Sequence, residues 1–297
     1  AIAFYSLTAG PNSGVHLTSL ASNSISNSAA GWTAGELSVA ASPTLIRITS
    51  GSAIGRTFLV STTANTATTV TIDASDLGST NLTSLGILTG DAGDTYELLN
   101  AHTLATLFGT DSGNGILTGT NGAACDQVQL MVTGAYRTYY LSSATNPMQW
   151  KRLGPNTASS NVVIKPETGI LFSRLANSSL ALTFTGTVPT IERKVAVKDS
   201  GLTNLSTGWS ADATISTLGL TSIPTWTSGT ASTSDTVQFL VTGAYRTYYF
   251  NGTNWRRVGP NTISDSVAIP AGTVYTIKQL GAAATFSTLT QTAPYSL

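Results

Sequence analysis

Val132-Thr133-Gly134-Ala135-Tyr136-Arg137-Thr138-Tyr139-Tyr140 recurs without a change at Val241-Thr242-Gly243-Ala244-Tyr245-Arg246-Thr247-Tyr248-Tyr249. A string this long does not repeat by chance, so the back half of the chain is an internally duplicated module. The agreement continues on both sides. Asp126-Gln127-Val128-Gln129 answers Asp235-Thr236-Val237-Gln238, and Trp150-Lys151-Arg152-Leu153-Gly154-Pro155-Asn156-Thr157 answers Trp255-Arg256-Arg257-Val258-Gly259-Pro260-Asn261-Thr262. The extra length of the first copy falls at Ser142 to Pro147, the behaviour of a loop tip, because lengthening a loop costs little.

Alternation of apolar and polar residues around a Gly-Ala pair predicts a β-hairpin with a type II′ turn at Gly134-Ala135. That register sets Thr133 opposite Tyr136, Leu130 opposite Tyr139 and Val128 opposite Leu141. Val128, Leu130, Val132, Tyr139 and Leu141 then form one face with Arg137 at its rim, and Val237, Phe239, Val241, Tyr248 and Phe250 form its counterpart. This is the expected core. The reverse face carries Gln129, Met131, Tyr136, Thr138 and Tyr140, matched by Gln238, Leu240, Tyr245, Thr247 and Tyr249. If Leu153 and Val258 point inward on the next strand, alternation places Trp150 with Arg152, and Trp255 with Arg257, on the tyrosine face.

Outward from the repeats, short runs rich in Val, Ile, Thr and aromatics alternate with Gly, Asn and Ser. The predicted class is all-β: antiparallel β-sandwich or jelly-roll-like domains with a duplicated C-terminal module. Leu45 to Ile48, Arg56 to Ser61, Thr68 to Ile72 and Thr95 to Leu99 read as strands, and Thr62 to Ala67 as a loop. His102 to Phe108 reads as a short helical turn ending at Gly109. Expected boundaries are 1–120 for an N-terminal β-rich domain, 121–191 for the first repeat, 192–234 for a bridging segment and 235–297 for the second repeat. Within the bridge, Val195 to Val197 and Thr214 to Leu220 are expected to be strands that complete a sheet. In the first repeat strands are also expected at Val162 to Ile164, Ile170 to Leu175 and Leu180 to Thr185.

Composition narrows the function. Only 9% of the 297 residues are charged, against roughly 25% in ordinary soluble domains, and Thr, Ser, Asn and Gly fill the polar share. Fourteen basic residues balance fourteen acidic ones, leaving no field to hold nucleic acid or an anionic membrane. No apolar run reaches the roughly twenty residues of a membrane helix. The single Cys125 excludes an internal disulfide framework, and its simplest role is that of a small buried hydrophobe. Ala1-Ile2-Ala3 would suit a terminus left by cleavage after small residues, which points to an extracellular or cell-surface protein.

The chain is similar in pattern to a family of secreted β-rich bacterial proteins carrying a repeated Tyr-Tyr/Trp module. The resemblance rests on Gly55-Arg56-Thr57-Phe58, Gly90-Asp91-Ala92-Gly93-Asp94-Thr95-Tyr96, Thr103-Leu104-Ala105-Thr106-Leu107-Phe108-Gly109, Asp126, Tyr139-Tyr140, Trp150, Pro166 and Thr185-Gly186-Thr187-Val188-Pro189. It spans most of the chain and implies export and β-rich architecture, with no assigned activity and no catalytic residues to carry over. A low-charge, Thr-rich exterior also resembles, in composition, the subunits of extracellular β-protein filaments.

Catalysis needs titratable or nucleophilic groups held by partners, and the stock is thin. His16 and His102 are the only histidines, no Gly-x-Ser-x-Gly elbow accompanies them, and Glu36, Glu97, Glu167 and Glu192 form no evident acid pair. Asp111-Ser112-Gly113-Asn114-Gly115 and Asp91 with Asp94 offer oxygens to calcium, but no full calcium-loop signature is present and Asx turns are the simpler account. Asp126 and Asp235 are expected to cap turns. No enzyme, cofactor or metal is expected. The candidate surface is therefore Tyr136, Tyr140, Trp150 and Arg152 with Tyr245, Tyr249, Trp255 and Arg257, for assembly with other copies of the chain or for stacking on a glycan. A strand-like segment, Ala1-Ile2-Ala3-Phe4-Tyr5-Ser6-Leu7, could join a neighbour's sheet edge. These readings describe a secreted structural protein that self-associates as a filament or matrix, with carbohydrate binding as the alternative.

Overall fold

The computed structural model describes residues 16–77, 80–132, 134–182, 184, 192–282 and 285–294. The strand-addition segment Ala1 to Leu7 and the Thr185 to Pro189 motif lie outside them. The architecture is all-β, 38% strand against 10% helix. The described strands form antiparallel sheets of two to five strands, with no parallel pairing between named strands.

Both copies of the repeated string form hairpins, but the register differs from the expected one by two residues. Val132 pairs with Ala135, Leu130 with Arg137 and Val128 with Tyr139. The second copy pairs Val241 with Ala244, Phe239 with Arg246 and Val237 with Tyr248. The turn thus begins one residue earlier than Gly-Ala. In the second copy Thr242 and Gly243 both have positive φ, 48° and 82°, the signature of a type I′ turn, whose twist matches that of the flanking strands. A two-residue shift preserves the side-chain alternation, so the core face survives it. Val128, Leu130, Tyr139 and Leu141 are all buried in one cluster, and Val237, Phe239 and Tyr248 in another.

A third strand completes each sheet by pairing with the first strand of the hairpin. Leu130 lies opposite Ile170 and Val128 opposite Phe172 in the first repeat; Phe239 lies opposite Tyr275 and Val237 opposite Ile277 in the second. The same arrangement occurs once more, unforeseen, in the N-terminal region. Ile46 pairs with Phe58 across a hairpin and with Leu98 on its other side, while Ile48 pairs with Tyr96. Superposing these registers aligns Arg56-Thr57-Phe58 with Arg137-Thr138-Tyr139 and with Arg246-Thr247-Tyr248. Next along the strand, Val60 bridges Ile72 where Leu141 pairs with Trp150 and Phe250 with Trp255. The chain therefore presents three units with one pairing scheme, and the first uses Ile72 where the others use tryptophan.

The two repeats also share an entry element that lies ahead of the residues 121 and 235 where the sequence placed their starts. His102–Thr103 pairs with Val163–Ile164 and leads into the helix Leu104–Phe108. Ala213–Thr214 pairs with Ala268–Ile269 and leads into the 3-10 turn Ile215–Leu218. Each turn opens on a reciprocal threonine capping box, Thr103 with Thr106 and Thr214 with Thr217. This capping, with Gly219 at φ 72°, leaves only Thr214 of the strand expected over Thr214 to Leu220 in extended pairing, as the end of Ala213–Thr214. Leu104, Phe108 and Ile116 belong to the core of the first repeat.

The bridge does complete sheets of the second repeat: Arg193–Lys198 pairs with Phe286–Gln291, and Ser200–Ser206 pairs with Val274–Leu280. In the first repeat, Leu180 to Leu182 form no strand. The two repeats dock where Thr168 bridges Leu205 and the Ser206 amide donates to the Glu167 carbonyl at 3.0 Å. A Cβ on Gly169 would sit 2.8 Å from Asn204 Nδ2 and from Val274, so glycine is needed for that approach.

Candidate functional site

The residues singled out on each repeat do not form one continuous aromatic stripe. Trp150 lies opposite Leu141 and Trp255 opposite Phe250. Directly opposed residues of an antiparallel pair share a face, so both indoles enter the core, where they are at most 2% exposed. Trp150 donates through Nε1 to the Gly109 carbonyl at 2.8 Å and packs on Phe108, ring centroids 5.6 Å apart; Trp255 packs against Trp226 and Phe250. The expected inward residues Leu153 and Val258 are exposed instead. The physical reason is a parity choice: burying the large indole removes more apolar surface from water than burying Leu or Val.

That inversion also moves the cations. Arg152 lies opposite Tyr139 and Arg257 opposite Tyr248, on the core side and half-buried. The cation on the tyrosine face is Lys151, opposite Tyr140, in the first repeat and Arg256, opposite Tyr249, in the second. The sequence also predicts that Arg137 and Arg246 cover aromatic rims in a cation–π role. Among the described residues the cation–π contacts are instead Arg56 over Phe58 at 5.6 Å and Arg193 over Trp209 at 5.5 Å.

Tyr140 and Tyr249 do sit on the outer face, yet they are buried. The cause is the repeated Gly-Pro-Asn-Thr motif. It folds back over the sheet so that the Tyr140 hydroxyl donates to Asn156 Oδ1 and the Tyr249 hydroxyl to Asn261 Oδ1, the latter at 2.6 Å. Asn156 and Asn261 hold left-handed backbone, φ 60° and 55°, a conformation that asparagine tolerates better than most residues. Sequence reasoning missed this lid, although the joint recurrence of Tyr-Tyr and Gly-Pro-Asn-Thr was its signal. Of the eight residues named, only Tyr136 and Tyr245 are exposed, at 42% and 56%.

The surroundings of those two tyrosines differ. Tyr136 reaches the second repeat, its hydroxyl 3.1 Å from Thr276 Oγ1. Around Tyr245 the face carries exposed Gln238, Leu240 and Ile263, with Leu240 51% and Ile263 64% exposed. Ile263 bridges Arg256, which fixes it on the same face.

The aspartates that open the repeats do more than cap a turn. Asp126 accepts from the Leu117 amide at 2.9 Å and the Leu175 amide at 2.8 Å, and pairs with Arg174. Asp235 accepts from the Thr227 and Leu280 amides, both at 2.8 Å, with Gln279 in the place of Arg174 at 3.4 Å. Each carboxylate ties the start of the hairpin to the end of the third strand. Burial pushes the Asp126 carboxyl up, but the amides of Leu117 and Leu175 and the Arg174 guanidinium outweigh it and hold the group below the usual carboxylate range. Asp199 behaves alike: burial raises it, and the hydroxyls of Ser287, Thr285 and Thr225 more than compensate.

Groups with catalytic or metal-binding chemistry are scattered. His16 Nδ1 contacts the Gly93 carbonyl, and His102 stands opposite Ile164 in the entry strand. Asp94 is taken up by the Ser50 hydroxyl and the Leu88 amide, and Asp111 caps the turn Ser112–Asn114 through the Gly113 amide. Among the described residues no three His, Cys, Asp or Glu side chains gather as a metal site would require. Cys125 is buried, where burial raises its thiol pKa. No helix of the described residues is long and apolar enough to cross a membrane. No family model, curated protein or solved structure matches the chain.

Proposed function

We propose that this chain is a non-enzymatic structural protein of the extracellular surface or matrix, whose subunits associate through the outer face of the second repeat. The observation that carries the reading is the contrast between the two repeats. The first meets the second repeat through Tyr136, whereas the same face of the second leaves Leu240, Tyr245 and Ile263 open. A cluster of large apolar side chains on a sheet face is the feature that marks protein interfaces. The near absence of charge supports the same reading, because nothing on the surface repels a second copy. The extracellular location rests on that composition and on the family resemblance.

Sedimentation velocity across a hundredfold range of protein concentration tests the proposal. The wild type is expected to shift to larger species as concentration rises, and Leu240→Asp with Tyr245→Ser is expected to remain monomeric. A wild type that stays monomeric at the highest concentration rejects it. Glycan stacking loses support from the burial of Trp150 and Trp255, which leaves Tyr136 and Tyr245 without the broad aromatic platform it requires.

A further inference from the structure

The three units meet around a cleft that self-association does not use. Its volume is about 750 Å³, within the range of small-molecule sites, and it lies where such sites concentrate, at a junction between units. Leu59 comes from the N-terminal unit, Val132 and Val163 from the first repeat, and Phe286 from the strand that pairs with the bridge. These side chains make a largely aliphatic wall.

The charges around that wall are informative because most of them cancel. Lys165 is paired with the buried Asp76, whose other oxygen accepts the Leu59 amide. The charges of Glu167 and Asp76 both favour the charged form of Arg56, whose guanidinium is buried and hydrogen-bonded to Thr288. Asn204 is consumed by the Gly169 carbonyl and the Thr276 hydroxyl, both at 3.1 Å. Lys198 is left over. It stands opposite Phe286 on the same sheet face, and no described group accepts a hydrogen bond from its Nζ. Its ammonium lies beside Gly134, where a Cβ would come within 2.9 Å, so the neighbouring hairpin turn supplies backbone there and no side-chain anion.

From this juxtaposition of an uncompensated ammonium and an apolar wall in one cleft, we propose that the cleft binds an amphiphilic monoanion, its carboxylate on Lys198 and its apolar body against Leu59, Val132, Val163 and Phe286. The specificity follows from the balance of charge. A neutral amphiphile gains the wall and leaves the ammonium without a partner, while a cationic one meets Lys198 with like charge. A dianion would bring a second charge to a lining whose other described cation, Lys165, is already paired with Asp76. The site is independent of the association face, since Leu240 and Tyr245 do not line it.

Calorimetric titration of the full chain with decanoate, decanol and decylammonium, each below its micellar concentration and in low salt, provides the test. Decanoate is expected to saturate at one molecule per chain, and to bind at least tenfold more tightly than decanol, because a charge-assisted hydrogen bond adds that much. Decylammonium is expected not to bind. Lys198→Gln is expected to reduce decanoate affinity about tenfold and leave decanol unchanged, and Ala282→Trp, which fills the cleft, to abolish both. The ranking of the three ligands is read on the wild type alone, so the result stands even if a variant fails to fold. Absence of saturable decanoate binding overturns the proposal, as does equal affinity for decanoate and decanol, or decanoate binding that Lys198→Gln leaves unchanged.

Discussion

The two repeats carry the same nine residues on the same hairpin, yet the tyrosine that opens the second strand has a different neighbour in each. Tyr136 of the first reaches Thr276 of the second repeat, whereas Tyr245 stands in the open beside Leu240. Local sequence dictated the hairpin, its register and its core face equally in both. What it could not dictate is the environment of the outer face, which depends on the order of units along the chain. The first repeat docks on the second, whereas no described residue covers the same face of the second. A surface that is an internal contact in one unit thereby becomes an available contact in the next.

The largest expected effect separates the two aspartate clamps. Asp126→Ala is expected to cost about 3–5 kcal/mol, because it strands the Arg174 cation as well as two part-buried amides. Asp235→Ala is expected to cost about 2–3 kcal/mol, since Gln279 carries no charge. Urea denaturation of both variants decides, and equal costs would mean that the Arg174 pairing adds nothing. Truncating the tryptophans is of similar size: Trp150→Ala and Trp255→Ala are expected to lose about 3–5 kcal/mol each. Leu153→Ser is expected to stay within about 0.5 kcal/mol. A near-neutral Trp150→Ala would return the indole to the surface and undo the assigned parity.

Acid sharpens the same contrast. Asp126 and Asp199 have native pKa values below those of the unfolded chain. A depressed carboxyl contributes stability that is complete above its unfolded value of about 4 and drains away as pH falls through the lower native value. Thermal unfolding between about pH 5 and pH 2 is therefore expected to show a falling midpoint, and Asp126→Asn is expected to flatten part of that fall. A slope unchanged by Asp126→Asn would assign the acid sensitivity elsewhere. The smallest effect concerns the lids. Tyr140→Phe and Tyr249→Phe each remove one hydrogen bond to an asparagine and are expected to cost about 1 kcal/mol, equally in the two repeats. Unequal losses, measured by chemical denaturation, would show that the lids are not equivalent.

Much of the fold was legible because periodicity is strong in this chain. Val128, Leu130, Tyr139 and Leu141 were assigned to the core from alternation alone, and they are buried. The register itself was misplaced by two residues, since Thr-Gly and Gly-Ala both offer a glycine and only the positive φ at two successive positions separates the turns. The orientation of Trp150 was misread because one residue of parity reverses a strand, and nothing local to Trp-Lys-Arg-Leu says which apolar end goes inside. Burial of Tyr140 depends on Asn156 folding back from beyond the next strand, a contact that no alternation rule contains. The N-terminal unit escaped notice for a different reason. Pairing, not identity, is what it shares with the repeats, and Arg56-Thr57-Phe58 is too short to announce a relationship without the register that aligns it.

The scarcity of charge has a further consequence. Several of the few ionic groups are consumed inside the fold, as with Arg47 and Glu97, Lys165 and Asp76, and Arg174 and Asp126. The exterior is thus held in contact with water chiefly by hydroxyl and amide groups, whose interactions a changing ionic atmosphere hardly alters. Contacts made by such a coat would keep nearly the same strength in fresh water and in brine.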